Sequence, residues 1–309
     1  MKPKVFIDGR EGTTGLQIYE RLDGRSDIEL LTISDEKRKD AGERSILINE
    51  ADLVFLCLPD AAAREAVSLV RSDKTRVLDA STAHRVADGW VYGLPELSAQ
   101  QRENIRCGKR ISNPGCHSTG AILLLAPLTE AKLIPLDYPL AVTSITGYTG
   151  GGKSMIAEYE TLDREEHWEY DAPRLYSTRA SHKHIPEITK YSGLSKEPVF
   201  TPIVCDYPQG LQVIIPLQLP GKRQKVFDAI AERYKGYVNI DVLDSAPQFS
   251  ASNVNADTDK VTLRVLGFDD NIILTAQLNN LGKGAAGAAV QNMNIMLGFG
   301  EHDGLIYYR

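Results

Sequence analysis

Residues 4–22 read K-V-F-I-D-G-R-E-G-T-T-G-L-Q-I-Y-E-R-L. A short apolar strand pattern (4–8) runs into glycines at 9, 12 and 15. Apolar residues then occur at Leu16, Ile18, Tyr19 and Leu22, at helical spacing. Strand, glycine turn, helix is the setting in which a Gly-rich motif has meaning. Gly9 permits the tight turn, Gly12 lets backbone approach a pyrophosphate, and Gly15 allows close helix–strand packing. Further strand patterns lie at 28–33 (I-E-L-L-T-I), 51–59 (A-D-L-V-F-L-C-L-P) and 76–81 (R-V-L-D-A-S). The continuous apolar run at 51–59 is that of a parallel strand buried on both faces, with Cys57 as core. A helix pattern lies between the third and fourth strands, and none is read between residue 33 and Ala51, where the link is short and charged. Alternating β and α units predict a Rossmann-like, doubly wound parallel sheet.

Gly9, Gly12, Thr13, Thr14 and Gly15 are therefore candidate dinucleotide contacts. After the second strand the chain reads S-D-E-K-R-K. Ser34, Lys37 and Arg38 suit a ribose 2′-phosphate, whereas Asp35 and Glu36 suit a free diol. The balance points to NADP(H). From Thr82 to Leu97 the βα rhythm breaks into a loop, in which Arg85 is a candidate contact for an anionic substrate or a structural ion-pair partner.

A second decisive stretch is S-N-P-G-C-H-S-T-G at 112–120, leading into A-I-L-L-L-A-P-L. Cys116 comes after a turn-forming Asn-Pro-Gly and opens an apolar helix pattern. Unpaired amides and the positive end of the helix dipole favour a nucleophilic thiolate there. The competing reading is a small buried residue at a turn. Farther on, S-H-K-H-I-P-E-I (181–188) places His182 and His184 before a helix start with Pro186 at its first position. Either imidazole is a natural general acid/base for a thiol nucleophile. A His-x-His pair also occurs in metal sites, but no third ligand cluster accompanies it, so no metal is expected.

Residues 147–154, G-Y-T-G-G-G-K-S, match a Walker A pattern. Such folds place the motif in a parallel α/β domain, whereas the chain that follows here is Tyr- and Pro-rich and alternates like antiparallel sheet, so the match is read as chance or analogous anion binding. Its glycines remain candidates for lining a substrate or nicotinamide pocket. Strand patterns around one amphipathic helix (223–235) then predict an α+β, mainly antiparallel second domain. The small-residue stretch 279–298 predicts a helix packing tightly on the first domain.

Composition excludes several classes. The 309 residues are 42% hydrophobic and 25% charged, with a net charge of −6. No basic footprint for nucleic acid is present, and no apolar run approaches the ~20 residues of a membrane span. The N-terminus carries no apolar signal core, and four dispersed cysteines form no C-x-x-C pair. A cytoplasmic protein with a small-molecule substrate is expected.

Four motifs, D-A-S-T-A-H-R-V (79–86), N-P-G-C (113–116), H-K-H-I-P-E-I (182–188) and N-L-G-K-G-A-A (280–286), together resemble the N-acetyl-gamma-glutamyl-phosphate reductases, in particular their shorter type 2 branch. The resemblance spans nearly the whole chain. It implies a semialdehyde dehydrogenase-like fold and NADPH-dependent reduction of an acyl phosphate through a thioester on Cys116, with His182 or His184 as acid/base. It further implies substrate contacts from Arg85, Asn113, Gly150 and Gly151, a nicotinamide contact from Asn280, and a homodimer or homotetramer. The expected domains are a dinucleotide-binding unit at 1–115, completed by a C-terminal helix at 283–309, and a catalytic and oligomerisation unit at 116–282. Two positions depart from the long branch: Gln209 stands where Arg is common there, and Asn279 where an acid is common. The alternatives are an aspartate-semialdehyde dehydrogenase-type enzyme, a non-catalytic NADP sensor, or a P-loop kinase.

Overall fold

The computed structural model describes residues 1–179 and 181–308, which divide into two compact units. The first comprises Met1–Pro114 and Ala285–Leu305; the second comprises Gly115–Gly284 and the tail from Ile306.

In the first unit β1 (Lys4–Asp8) leads into α1 (Thr13–Leu22), then β2 (Glu29–Leu31), α2 (Ala41–Glu50), β3 (Leu53–Leu56), α3 (Asp60–Leu69) and β4 (Arg76–Asp79). After β4 come β5 (Val91–Tyr92), α4 (Ala99–Cys107) and β6 (Arg110–Ser112). The strands form one parallel sheet in the order β2-β1-β3-β4-β6-β5. Chain order reverses between β1 and β3, and a ligand crevice opens outside the carboxyl ends of strands at such a switch point. Gly9 sits there with φ +87°, and a Cβ on it would lie 2.4 Å from the carbonyl oxygen of Cys57. A Cβ on Gly15 would lie 2.4 Å from the oxygen of Gly9. Two of the three motif glycines are thus required by backbone packing alone.

The helix α2 corrects the expectation of a bare charged link after β2. Asp40 caps it, accepting the Glu43 amide at 2.9 Å. Its burial rests on Ile48, a partly buried Leu47 and the Arg44 side chain, while Ile46 faces solvent. Arg44 reaches Asp8 at the end of β1 in a buried pair (2.9 Å). Apolar periodicity was absent because a guanidinium takes one of the core-facing positions.

In the second unit α5 (Cys116–Glu130) precedes β7 (Ala141–Gly147), α6 (Gly152–Thr161), β8 (Arg174–Leu175), α7 (Ile185–Tyr191), β9 (Val199–Cys205) and β10 (Leu211–Gln218). Next come α8 (Arg223–Arg233), β11 (Ile240–Leu243), β12 (Val261–Phe268) and β13 (Asn271–Leu278). The seven-stranded sheet runs β11-β12-β13-β10-β7-β9-β8. Most neighbours are antiparallel as expected, but β7–β9 and β11–β12 are parallel, so the sheet is mixed. The α6–α7 crossover returns the chain beside β7 in the same direction, as a parallel pair requires. α5 is buried from His117 to Thr129 and packs on β10 and β13, where Gly120 permits contact with Val213.

The chain then rejoins the first unit as α9 (Gly287–Leu297). Its Ala289, Val290 and Met293 pack into the cluster of Val5, Ile18, Phe55 and Leu78. The expected helix over 283–309 is therefore shorter: Gly298, at φ +77°, ends it in the left-handed conformation. Ile306 belongs to the second unit, its amide held by Asp259 at 2.9 Å.

Candidate active site

Cys116 is the first residue of the 15-residue α5, and its N-cap is Gly115, which offers no capping side chain. The first-turn amides consequently lack intrahelical partners and surround the thiol with positive potential. The Gly115 amide itself donates to the buried carboxylate of Glu187 on α7, at 3.0 Å. This bond ties the turn before the thiol to the helix after the histidine pair. A Cβ on Gly284 would lie 2.7 Å from the Cβ of Cys116. Close packing against the cysteine thus explains the second glycine of N-L-G-K-G.

Two imidazoles stand at Cys116, and a third, His182, packs against both of them. Ring nitrogens of His117 and His184 and the Cys116 sulfur lie within 4.8 Å of one another. His182 stands edge-on to His184, with ring centroids 4.7 Å apart, and packs on Phe200 at 4.9 Å. The Nδ1 of His182 accepts the His184 amide at 3.2 Å, which puts the proton of a neutral His182 on Nε2. His117 is held at both nitrogens, Nδ1 with the Ser144 hydroxyl and Nε2 with the Tyr176 hydroxyl, each at 2.7 Å. Burial first, then the proximity of His182 and Lys183, pushes His117 down to about 3, so it is neutral at physiological pH. Burial, with the nearby Cys116 charge adding to it, raises the Tyr176 phenol. One sulfur and two imidazoles are metal-ligating chemistry, but ligation through His117 would break one of its two hydrogen bonds.

His117, Ser144, Tyr176 and Glu187 were not singled out from sequence. His117 adjoins the nucleophile inside its motif, and Glu187 comes after Pro186 inside H-K-H-I-P-E. Ser144 left a fainter signal, as a polar residue on the buried face of an alternating strand. Tyr176 left none.

The 147–152 loop is occupied by its own protein. The amides of Gly147, Tyr148 and Thr149 donate to the carbonyls of Gly210, Tyr207 and Pro208. A P-loop needs such amides for phosphate, and Lys153 is exposed. Gly150 lies beside Asn280, whose Nδ2 donates to the Thr149 hydroxyl (2.9 Å) and whose Oδ1 accepts the Gly210 amide (2.8 Å). Gly151 faces Met155. Asn279 donates to Gln209 at 3.1 Å, so the two departures from the long branch form one matched neutral pair.

In the first unit Gly12 caps α1, and a Cβ there would make only ordinary contacts. The hydroxyl of Thr13, the first residue of α1, is buried with no hydrogen-bond partner among the described residues. An orphaned hydroxyl beside open helix amides fits a dinucleotide pyrophosphate. Arg38 faces Glu11 of the glycine turn at 4.0 Å, and Lys37 pairs with Glu43 at 2.6 Å. Ser34 is exposed and closes a turn by accepting the Lys37 amide. Arg85 is buried, its guanidinium donating to the Ala80 carbonyl at 3.2 Å. Asn113 is engaged at both ends of its amide, with the Ala285 carbonyl (2.9 Å) and Asn292 (3.2 Å). Its evident role is to fasten the end of β6.

Two family models match the chain: a semialdehyde dehydrogenase NAD binding domain over residues 43–105, and a semialdehyde dehydrogenase dimerisation domain over 116–280. Semialdehyde dehydrogenase-like is also the class defined by fold and thiol site. The chain is 46% identical to N-acetyl-gamma-glutamyl-phosphate reductase 2 of Nostoc sp., over 98% of this chain and 99% of that one. It is 46% identical to the reductase of the same name from Pseudomonas putida, over 96% and 97%. The chain belongs to the N-acetyl-gamma-glutamyl-phosphate reductase family. Among solved structures it shares the fold of an aspartate semialdehyde dehydrogenase II from Vibrio cholerae complexed with ASA (TM-score 0.74, 17% identity, 96% of this chain and 98% of that one). An aspartate semialdehyde dehydrogenase with NADP from Candida albicans is similar in fold (TM-score 0.65, 16% identity, 96% and 99%).

Proposed function

We propose that this chain reduces N-acetyl-L-glutamyl 5-phosphate to N-acetyl-L-glutamate 5-semialdehyde with release of phosphate, in arginine biosynthesis. The observation that carries the reading is a cysteine at an uncapped helix N-terminus with two imidazoles around its sulfur. The Cys116 thiolate attacks the acyl carbon, and the carbon–oxygen bond to phosphate breaks, leaving a thioester. NADPH supplies the hydride that reduces the thioester carbon. The thiohemiacetal formed on Cys116 collapses, the carbon–sulfur bond breaks, and the aldehyde leaves as the thiolate returns.

The His182/His184 pair takes the thiol proton, lends it to the thiohemiacetal oxygen and takes it back as the carbon–sulfur bond breaks. Neutral His117, fixed by Ser144 and Tyr176, holds the pair's surroundings in place. Thr13, Thr14 and the amides opening α1 hold the cofactor's pyrophosphate, with Arg38 toward its 2′-phosphate. Arg85 takes the substrate phosphate, and Gly150, Gly151 and Asn280 line the acyl and nicotinamide side. The chain works as a homo-oligomer. It works in the cytoplasm, a reading supported by four cysteines of which none forms a disulfide among the described residues. Among the described residues no helix is long and apolar enough to cross a membrane.

The test runs in reverse: NADP reduction with N-acetylglutamate 5-semialdehyde and phosphate, for wild type and Cys116→Ala. Wild-type activity should require phosphate, and the variant should lose about 10³-fold or more. Full activity in Cys116→Ala, or activity on aspartate semialdehyde alone, would remove the reading.

A further inference from the structure

The loop after β4 is held more tightly than a connection requires. The carboxylate of Asp79, wholly buried at the end of β4, accepts three hydrogen bonds. They come from the Ser81 amide (2.9 Å), the Ser81 hydroxyl (2.7 Å) and Nδ1 of His84 (2.6 Å). The Ser81 oxygen in turn accepts the Ala83 amide at 3.1 Å. A second carboxylate, Asp60 at the start of α3, accepts the amide and hydroxyl of Thr82 at 3.0 and 2.5 Å. The His84 ring lies flat on Trp90, with centroids 4.1 Å apart and planes 11° from parallel. Every residue from Ser81 to His84 is therefore fixed by a side chain or an amide, and Arg85 comes next.

Arg85 needs such a mounting. Its long side chain would otherwise lose much rotamer freedom on meeting an anion. Here the guanidinium is buried and oriented by the Ala80 carbonyl, and the Asp79 charge is directed to Ser81 and His84. The loop also stands at the carboxyl edge of the parallel sheet, where ligands of such sheets bind.

We propose that Asp79, His84 and Trp90 are positioning residues for Arg85: the carboxylate–imidazole pair and the ring stack hold its guanidinium ready for the substrate phosphate. The proposal rests on Arg85 as the phosphate residue. Its signature is a rise in the phosphate KM of the reverse reaction, with cofactor binding by the same unit untouched.

The experiment varies inorganic phosphate at saturating aldehyde and NADP and measures NADP binding separately by calorimetry. Arg85→Lys sets the scale, with phosphate KM expected to rise about 30-fold or more. Trp90→Leu and His84→Ala should raise it about 5- to 20-fold. In both, kcat at saturating phosphate should stay within about threefold and the NADP Kd should be unchanged. Trp90→Phe, which keeps a stacking face, and His84→Asn, which keeps a donor for Asp79, should each recover most of the loss. A raised KM in Arg85→Lys beside wild-type values in Trp90→Leu and His84→Ala would overturn the positioning role alone. NADP affinity falling in step with phosphate KM would show a merely structural loop and overturn it too. A wild-type KM in Arg85→Lys would instead remove Arg85 as the phosphate residue, and the proposal with it.

Discussion

Two glycine-rich turns, at 9–15 and 147–152, each end a strand and open a helix, yet their backbones are used in opposite ways. In the first, Gly9 and Gly15 let strand, turn and helix close on one another, and the buried Thr13 hydroxyl at the start of α1 has no hydrogen-bond partner among the described residues. In the second, three successive amides are taken by carbonyls of the 207–210 turn, and the Thr149 hydroxyl is taken by Pro208. The second turn is the better match to a phosphate-loop string and the worse phosphate site. A partner segment far away in sequence separates them, and no local pattern records it.

The sharpest way to break this comparison is at Gly9 and Gly12. Gly9→Ala forces a side chain onto a left-handed residue 2.4 Å from a backbone carbonyl. The first unit should lose about 3 kcal/mol or more, and NADPH binding with it. Gly12→Ala meets only contacts of 3.4 and 3.5 Å at φ −71°. It should leave stability within about 1 kcal/mol, because alanine is at ease in that conformation. In the proposed cofactor site its methyl would stand where backbone approaches the pyrophosphate, so NADPH affinity should fall about tenfold or more. Denaturation and cofactor titration of both variants separate the two effects. Equal damage from both substitutions would mean the turn is structural throughout.

A smaller effect should come from the other unit's buried imidazole. His117 is depressed to about 3 from its ordinary 6.5, so between those values the unfolded chain binds more protons than the folded one. Stability therefore rises with pH through that window and is lost on acidification, by up to about 1.4 kcal/mol per pH unit. Between pH 7 and 5 wild type should lose about 2 kcal/mol more than His117→Gln in urea unfolding. Parallel curves would show that His117 takes up a proton without unfolding.

The same contrast explains what the sequence revealed. The Rossmann-like half was legible because glycine spacing, buried apolar strands and βα alternation are local signals. Cys116 at a helix start was legible for the same reason, since N-P-G-C precedes an unbroken apolar run. α2 was hidden because its core-facing positions include Arg44, paired with Asp8 from another element. The Ser144 and Tyr176 clamp on His117 was hidden because its members come from α5, β7 and the segment before α7. The match between Gln209 and Asn279 was invisible for a like reason. Each looks like a departure alone, and only strand pairing shows that they bond to one another.

Lys153→Ala carries the smallest expected effect and bears most directly on the second turn. In a true phosphate loop this lysine meets the β/γ-phosphates, and its loss abolishes nucleotide binding. Here its side chain is exposed at the start of α6, beside amides already bonded to the 207–210 turn. The substitution should leave reductase activity within about twofold and stability within about 0.5 kcal/mol. Magnesium–ATP should not raise the melting temperature of wild type or variant. ATP stabilisation of wild type that vanishes in Lys153→Ala would mean that the 147–149 amides leave their carbonyls on binding. The turn would then be a nucleotide site held shut by residues 207–210, and the difference between the two glycine turns would be one of conformation rather than design.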